Sequence, residues 1–253
     1  MRYVNLFLNL ALVSVAGAAK AQEIPAAGGL PALKIRVVVI GSSTAAGAGA
    51  EPADSAWVNR YRAWLQGINP ANEVLNLALG GFSTYQLLPA TLFPAKYRPE
   101  PDTLRNITRA LSLRSHAIII NLPSNDVASG YSLEEQMANF EKIIKTTRRA
   151  GVPVWICTTQ PRNFSADKVL LQLLARNAIL ETYGPQAINV WDALAEPNGL
   201  LDARFDSGDG VHLNNAGHAM IFEQVKSAGI QELISRLPGQ SWLGRFWRWM
   251  GSW

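Results

Sequence analysis

The sequence contains one cysteine, Cys157, and three histidines among its 253 residues. A single cysteine cannot form an internal disulfide, so the fold has to be stabilised by its core. Cys157 follows the apolar residues Val154, Trp155 and Ile156, which favours a small buried side chain over a reactive thiol. The three histidines belong to no clustered set of metal ligands, and we therefore expect no metal site and no cofactor.

Charge is also sparse, because only 17% of the residues are charged while 48% are apolar. This is the composition of a globular protein with one well-buried core. The net charge of +4 is spread over predicted helix faces, where solvation explains it. The charge pattern therefore does not predict a nucleic-acid partner.

No apolar run is long enough to cross a bilayer comfortably. The run that comes nearest to this length lies at the N-terminus. A basic start at Arg2, an apolar stretch over residues 6–15 and small residues at Ala19 and Ala21 form the pattern of a cleavable secretory signal. We expect cleavage after Ala21, a short linker over 22–33, and a secreted or periplasmic protein. An uncleaved anchor or a disordered leader is the alternative.

Five short apolar runs alternate with longer segments of helical periodicity, which indicates one domain over residues 34–237. Two of these runs, Ala117 to Ile120 and Val152 to Ile156, are continuously apolar, which is typical of strands that are covered on both faces. Repeated strand-then-helix order predicts a parallel sheet with helices on both sides. Ser132 and Asp167 are candidate N-caps, and Gly151 is expected to end a helix. The strands are predicted at about 35–40, 73–78, 117–122, 153–158 and 187–191, and the helices at 55–68, 104–113, 133–149 and 168–183.

Polar clusters follow four of the five predicted strands. In parallel α/β sheets, active sites lie beyond the carboxyl ends of the strands. We therefore expect the functional residues at this edge of the sheet. The clusters are Gly41-Ser42-Ser43, Gly80-Gly81, Asn125-Asp126 and Thr158-Thr159-Gln160.

An aspartate and a histidine three positions apart, Asp209 and His212, lie in a loop-like stretch after these helices, and the segment that follows them is predicted to be one more, last helix. This pair can supply a general base and the carboxylate that orients it, so that only a nucleophile is missing from a hydrolytic triad. Ser43 is the best candidate, because it lies where the first strand turns towards a helix. Ser42 in the same turn competes for this role, and a simple helix-capping turn is the alternative. The other two histidines, His116 and His218, are expected to be structural.

Asn125 and Gly81 are candidate donors to a developing oxyanion, one through its side-chain amide and one through its backbone N–H. A turn-forming asparagine and a conformationally permissive glycine are the alternatives for each residue alone. Phe82, Tyr85 and Phe164, with the loop that begins at Gln160, are expected to line a substrate pocket. Packed aromatic side chains in turns are the alternative.

These residues resemble the sequence blocks of the SGNH (GDSL-like) hydrolases over about residues 34–236. The first block matches Gly41-Ser42-Ser43, the glycine block matches Gly81, the third matches Pro123-Ser124-Asn125-Asp126, and the last matches Asp209 and His212. Ser42 stands where the family has aspartate, and Pro123 stands where it has glycine. Both departures are expected to alter loop shape and thereby substrate range.

The resemblance implies a flavodoxin-like three-layer α/β/α sandwich around a five-stranded parallel sheet. It also implies a serine esterase with Ser43, His212 and Asp209 as its triad, and with Ser43, Gly81 and Asn125 as its oxyanion hole. Short-chain acyl or O-acetyl groups on carbohydrate are the expected substrates for an exported enzyme. Thioesterase or lysophospholipase activity, and a non-catalytic envelope- or carbohydrate-binding module, are the alternatives.

A second hydrolase fold, the α/β-hydrolases, is disfavoured by the position of the predicted residues. That fold places its nucleophile deep in the sheet and its acid and base on different loops. Here the candidate serine follows the first strand, and the acid and base share one loop.

The last twelve residues contain four of the eight tryptophans. Wound as a helix at about 100° per residue, residues 238–253 form a Trp-rich amphipathic tail with arginines on its polar side. Such a helix can lie in an anionic membrane interface, or it can dock on its own domain or on a second copy. The apolar face that would make this contact includes Trp242, Phe246, Trp249 and Trp253.

Overall fold

The computed structural model describes residues 34–122 and 124–235. The predicted signal peptide and linker, Pro123 and the Trp-rich tail lie outside the described residues. Within the described ranges, five strands form one sheet. They are β1 (Arg36–Gly41), β2 (Glu73–Asn76), β3 (Ala117–Asn121), β4 (Val154–Cys157) and β5 (Ala187–Ile188).

All the strands are parallel, in the order β2-β1-β3-β4-β5. The predicted five-stranded parallel sheet is confirmed, and its order is that of flavodoxin-like folds. β5 is shorter than expected, because the backbone N–H groups of Val190 and Trp191 donate to the hydroxyl of Thr158. These side-chain bonds take the place of further backbone pairing along β4.

The helices follow the strands as predicted. The described helices are α1 (Ser43–Ala46), α2 (Trp57–Ile68), α3 (Ile107–Ser112), α4 (Asn125–Ala128), α5 (Leu133–Ala150), α6 (Ala166–Tyr183), α7 (Asn215–Ser227) and α8 (Ile230–Ser235). In this part of the chain no helix has the length and apolar character that a membrane span requires.

Both ends of α5 agree with the sequence prediction, whereas the start of α6 differs from it. Ser132 caps α5 in a reciprocal capping box with Glu135, and the helix ends at Gly151 as predicted. The prediction that Asp167 caps α6 is wrong, because the helix begins one residue before it and Ser165 occupies the N-cap position. Asp167 instead lies in the first turn, where a negative charge is favourable.

Two apolar clusters cover the two faces of the sheet. On one face the sheet packs against α2, α7 and α8, and on the other it packs against α3, α5 and α6. Alternate residues of β1 point into the two clusters, as Val37 and Val38 do. Cys157 is 1% exposed within the first cluster, and burial raises the pKa of its thiol to about 12. The thiol is therefore a core group, as predicted.

Candidate active site

The carboxyl end of β1 carries the serine turn. A side chain at Gly41 would place its Cβ 2.1 Å from the carbonyl oxygen of Asn121, so only glycine allows β1 and β3 to approach this closely. Ser42 then donates its backbone N–H to the same carbonyl over 3.1 Å. The chain turns at once into α1, whose first residue is Ser43. The end of β3 thereby fixes the position of both serines.

The two serines of this turn have different surroundings. Ser43 is half-buried, whereas Ser42 is fully buried and its Oγ accepts a hydrogen bond of 2.6 Å from the side-chain amide of Asn125. The same amide nitrogen donates to the carbonyl oxygen of Phe82 over 2.8 Å. Burial and this bond favour Ser43 as the nucleophile and give Ser42 a role in orienting Asn125. The nucleophile itself stays a prediction.

The predicted glycine loop passes beside Ser43. A Cβ built on Gly80 would lie 3.7 Å from the Cβ of Ser43, and the following residue, Gly81, is exposed. Leu79 donates its backbone N–H to the carbonyl oxygen of Gly41 over 3.2 Å. The structure thus brings Gly81 to the same edge as Ser43 and Asn125.

A buried carboxylate, Asp126, holds the glycine loop next to Asn125. It is 2% exposed, and it accepts hydrogen bonds from the backbone N–H of Thr84 at 3.1 Å and from its hydroxyl at 2.6 Å. Burial raises the pKa of Asp126 to about 6, although the hydrogen bonds from Thr84 act in the opposite direction. Asp126 therefore links the two elements that carry the predicted oxyanion donors.

The acid–base loop, which we define as residues 206–214, supplies the other half of the site. Asp209 Oδ2 lies 2.6 Å from Nδ1 of His212, and the other carboxylate oxygen accepts the backbone N–H of His212 at 2.8 Å. Ser207 closes the loop by donating its N–H to the carbonyl oxygen of His212. The predicted pair is thus in direct contact and oriented by the local backbone.

Hydrogen bonds also keep Asp209 ionised. The backbone N–H of His212, followed by its ring, lowers the pKa of Asp209 to about 2. This pKa lies below its usual value near 3.8, so the ionised carboxylate contributes to the stability of the folded protein. That contribution is complete above about pH 4 and is lost as the pH falls towards 2. Asp209 is therefore ionised, and able to orient His212, above about pH 4.

The serine turn and the acid–base loop meet through the segment that follows α1. A Cβ on Gly49 would lie 2.2 Å from the carbonyl oxygen of Leu213, so this close approach requires glycine. Nε2 of His218 lies 3.0 Å from the carbonyl oxygen of Ala48, and Ala48 in turn donates its N–H to the carbonyl oxygen of Ser43. The residues that follow Ser43 are therefore packed against those that follow His212.

The remaining histidines have structural contacts. His218 is fully buried, its Nδ1 accepts the backbone N–H of Trp57 at 3.3 Å, and burial lowers its pKa. Nδ1 of His116 accepts the backbone N–H of Arg36 at 2.9 Å. In the described part of the chain, no group of three or more His, Cys, Asp or Glu side chains is arranged to hold a metal ion.

Of the three aromatic residues that the sequence assigns to a substrate pocket, two belong to a core cluster and the third does not. Phe82 and Tyr85 are only 7% and 6% exposed, within the apolar cluster on α3 and α5. The hydroxyl of Tyr85 donates to Glu135 over 2.7 Å. Phe164 is half-buried, with the guanidinium of Arg162 4.6 Å from its ring centre. Burial assigns the first two rings to the core, and their contact with substrate stays a prediction.

Two polar residues of the site have contacts that the sequence does not reveal. One is Ser42, which the sequence suggests as a rival nucleophile and which in the structure accepts a hydrogen bond from Asn125. The other is Gln160, which is expected in the pocket wall and is 1% exposed between the serine turn and the acid–base loop. The position of Gln160 at the end of β4 places it at the expected edge of the sheet. Its hydrogen-bond partners could not be identified from the sequence, because they are distant from it along the chain.

Comparison with known proteins gives one family match. A profile of the GDSL-like lipase/acylhydrolase family matches residues 39–220. A sequence search of curated proteins finds no match to this chain.

Solved structures with low sequence identity share the fold. The lipase/acylhydrolase from Enterococcus faecalis is 16% identical with a TM-score of 0.58, over 82% of this chain and 100% of that one. A GDSL-like lipase from Bacteroides thetaiotaomicron VPI-5482 is 20% identical with a TM-score of 0.56, over 78% and 88% of the two chains. A two-domain esterase active on acetylated mannans is 14% identical with a TM-score of 0.53, over 82% and 51%.

The family profile covers most of the chain, including the serine turn, Asn125 and the acid–base loop. The five-stranded parallel sheet with helices on both faces agrees with the solved structures. The chain belongs to the GDSL-like lipase/acylhydrolase family and is a hydrolase that acts on ester bonds.

Proposed function

We propose that this chain hydrolyses carboxylic esters through an acyl-enzyme, with Ser43 as nucleophile, His212 as general base and Asp209 as the residue that orients His212. The observation that carries the proposal is the 2.6 Å contact between Asp209 and Nδ1 of His212. This contact fixes the imidazole tautomer and leaves Nε2 available for proton transfer. The half-buried Ser43 at the start of α1 supplies the hydroxyl.

The reaction has two steps. His212 takes the hydroxyl proton as Ser43 attacks the ester carbonyl, and it returns that proton to the leaving alcohol as the C–O bond breaks. Water then attacks the acyl-serine with the same base, which releases the acid and restores Ser43. The backbone N–H groups of Ser43 and Gly81 and the amide of Asn125 are proposed to stabilise the oxyanion.

Asn125 must change one of its contacts to act in this way. Both of its amide hydrogens have acceptors, which are Ser42 Oγ and the carbonyl oxygen of Phe82. The hydrogen that binds Ser42 is directed at the serine turn, and we propose that it is shared with the oxyanion. Ser42 then holds the amide ready in the absence of substrate.

The test is turnover of p-nitrophenyl acetate by the wild-type protein and by Ser43→Ala. We expect loss of nearly all activity in the variant, since no nucleophile remains in the turn with the same exposure. Equal rates in the two proteins would reject the triad, and a non-catalytic binding module would then be the better interpretation.

For substrate, we propose short-chain acyl esters, above all O-acetyl groups on carbohydrate. Support comes from the similarity in fold to the two-domain esterase active on acetylated mannans. The expected export of the protein also supports this substrate, because O-acetylated polysaccharides occur outside the cytoplasm. Initial rates on acetyl and octanoyl p-nitrophenyl esters test this proposal, and we expect preference for acetyl. A strong preference for octanoyl would instead favour a thioesterase- or lysophospholipase-type acylhydrolase.

We also propose that the protein is secreted or periplasmic, and that its tail contacts an anionic membrane surface. The N-terminal signal pattern and the segregation of Trp242, Phe246, Trp249 and Trp253 from the arginines support this.

We expect the mature protein to sediment with anionic vesicles, and a version ending at Pro238 to stay in solution and keep its esterase activity. Binding that survives the truncation would contradict the role of the tail. Self-association without vesicle binding would indicate docking on a second copy.

A further inference from the structure

We propose that Gln160 is a positioning residue that fixes the serine turn and the acid–base loop relative to each other. The proposal rests on the proposed function, since it concerns the geometry between Ser43 and His212. Gln160 comes from a third element, the loop after β4. It contacts substrate at no step, and it acts through the two residues next to the catalytic ones.

The side-chain amide of Gln160 binds both halves of the site. Its Oε1 accepts a 2.9 Å hydrogen bond from the hydroxyl of Thr44, the residue after Ser43. Its Nε2 donates over 2.9 Å to the carbonyl oxygen of Val211, the residue before His212. One planar amide thus bridges elements that are 116 and 51 residues away from it in the sequence.

Burial makes this bridge specific. Gln160 is 1% exposed and Thr44 is fully buried, so water cannot replace the bond between them. A buried polar group is unfavourable unless all its bonds are made, and an apolar side chain would fill the same space without that cost. The amide therefore favours one arrangement of the two elements over others that pack equally well.

The bridge is itself held in place from α6. The side-chain amide of Gln172, fully buried, donates to the backbone carbonyl oxygen of Gln160 over 2.9 Å. A second contact from the same loop joins the N–H of Asn163 to the carbonyl oxygen of Gly210 at 2.8 Å. The β4–α6 loop thus holds the acid–base loop at two points, and only Gln160 also reaches the serine turn through its side chain.

The variants that test the bridge remove its bonds without removing a catalytic group. Gln160→Met eliminates both hydrogen bonds and Thr44→Val eliminates one, each with little change in volume. We expect kcat on p-nitrophenyl acetate to fall about 10- to 100-fold with KM nearly unchanged, because small misplacement of reacting groups costs rate rather than binding. Assays at a temperature well below the measured Tm keep loss of folded protein out of the result.

Gln186→Met is the matched control. Its amide donates to the carbonyl oxygen of Val154 over 2.8 Å, at the opposite end of β4. This variant loses a similar bond away from the site, and we expect wild-type kcat and KM.

Gln160→Glu adds a readout that a merely structural role would not give. An ionised carboxylate can accept from Thr44 but cannot donate to Val211, whereas the protonated acid can do both. We therefore expect the ratio of variant to wild-type kcat to rise as the pH falls.

The outcomes separate the two proposals. Loss of activity in Ser43→Ala together with wild-type kcat in Gln160→Met and Thr44→Val would overturn the bridge alone. Thr44→Val decides the question if Gln160→Met fails to fold. Activity retained in Ser43→Ala would overturn the proposed function and with it the catalytic meaning of the bridge.

Discussion

The two halves of the site are built in opposite ways. In the acid–base loop, Asp209 and His212 are three residues apart, and their side chains are 50% and 30% exposed. On the other side, Asn125 reaches Ser42 across 83 residues of sequence, and Ser42 is fully buried. The first half is oriented by hydrogen bonds of its own backbone, whereas the second exists only when β1 and β3 lie side by side.

This difference predicts which substitutions change activity alone and which change both activity and stability. Substitutions in the exposed loop should remove activity and leave folding almost unchanged, because few buried contacts are lost. Substitutions around Ser42, Asn125 and Asp126 should change both, because each leaves a buried polar group without its partner.

The largest effect is expected for His212→Ala, followed by Asp209→Asn. We expect kcat to fall by about 10⁶-fold for the first and about 10⁴-fold for the second, as for other serine hydrolase triads. The free energy of unfolding should change by less than about 1 kcal/mol in both, since these side chains are partly exposed. Steady-state kinetics measure kcat, and urea denaturation measures the free energy of unfolding. A large loss of stability would contradict the view that the acid–base loop is oriented by its own backbone hydrogen bonds.

Asn125→Ala should affect both activity and folding. We expect kcat to fall about 10²–10³-fold through loss of an oxyanion donor. We also expect the free energy of unfolding to fall by about 1–3 kcal/mol, because Ser42 and the carbonyl oxygen of Phe82 lose a partner. Unchanged kcat would show that the amide serves only to hold the turn.

Asp126→Asn should change the pH dependence of folding. The folded pKa of about 6 lies above the value of about 3.8 expected for the unfolded chain. The proton is therefore bound more tightly in the folded state, and the contribution of Asp126 to stability should decline by up to about 3 kcal/mol as the pH rises from 4 through 6. Urea denaturation at several pH values should show that the stability of the wild type relative to the variant falls over this range. Parallel pH profiles would refute the raised pKa of Asp126.

Ser42→Ala is expected to have the smallest effect. The variant keeps Ser43 and loses only the hydrogen bond to Asn125, a loss of about 1 kcal/mol or about fivefold in kcat. Most activity should therefore remain in steady-state assays. A loss as large as that of Ser43→Ala would make Ser42 the nucleophile.

The same contrast explains how much could be predicted from the sequence. The parallel sheet was predictable because short apolar runs alternate with segments of helical periodicity. The Asp209–His212 contact was predictable because the two residues share one short loop. The bridge through Gln160 could not be predicted, since its partners meet only after three strands have paired. The N-cap of α6 was misplaced by two residues because Ser165 and Asp167 are both good capping residues.

The proposed mechanism depends above all on Ser43 being the nucleophile of the triad. The most direct measurement is mass spectrometry of the protein after reaction with an organophosphorus ester, followed by digestion and sequencing of the labelled peptide. We expect one phosphoryl adduct on Ser43, which is absent from Ser43→Ala and forms much more slowly in His212→Ala. An adduct on Ser42, or no adduct on a protein that still hydrolyses p-nitrophenyl acetate, would contradict it.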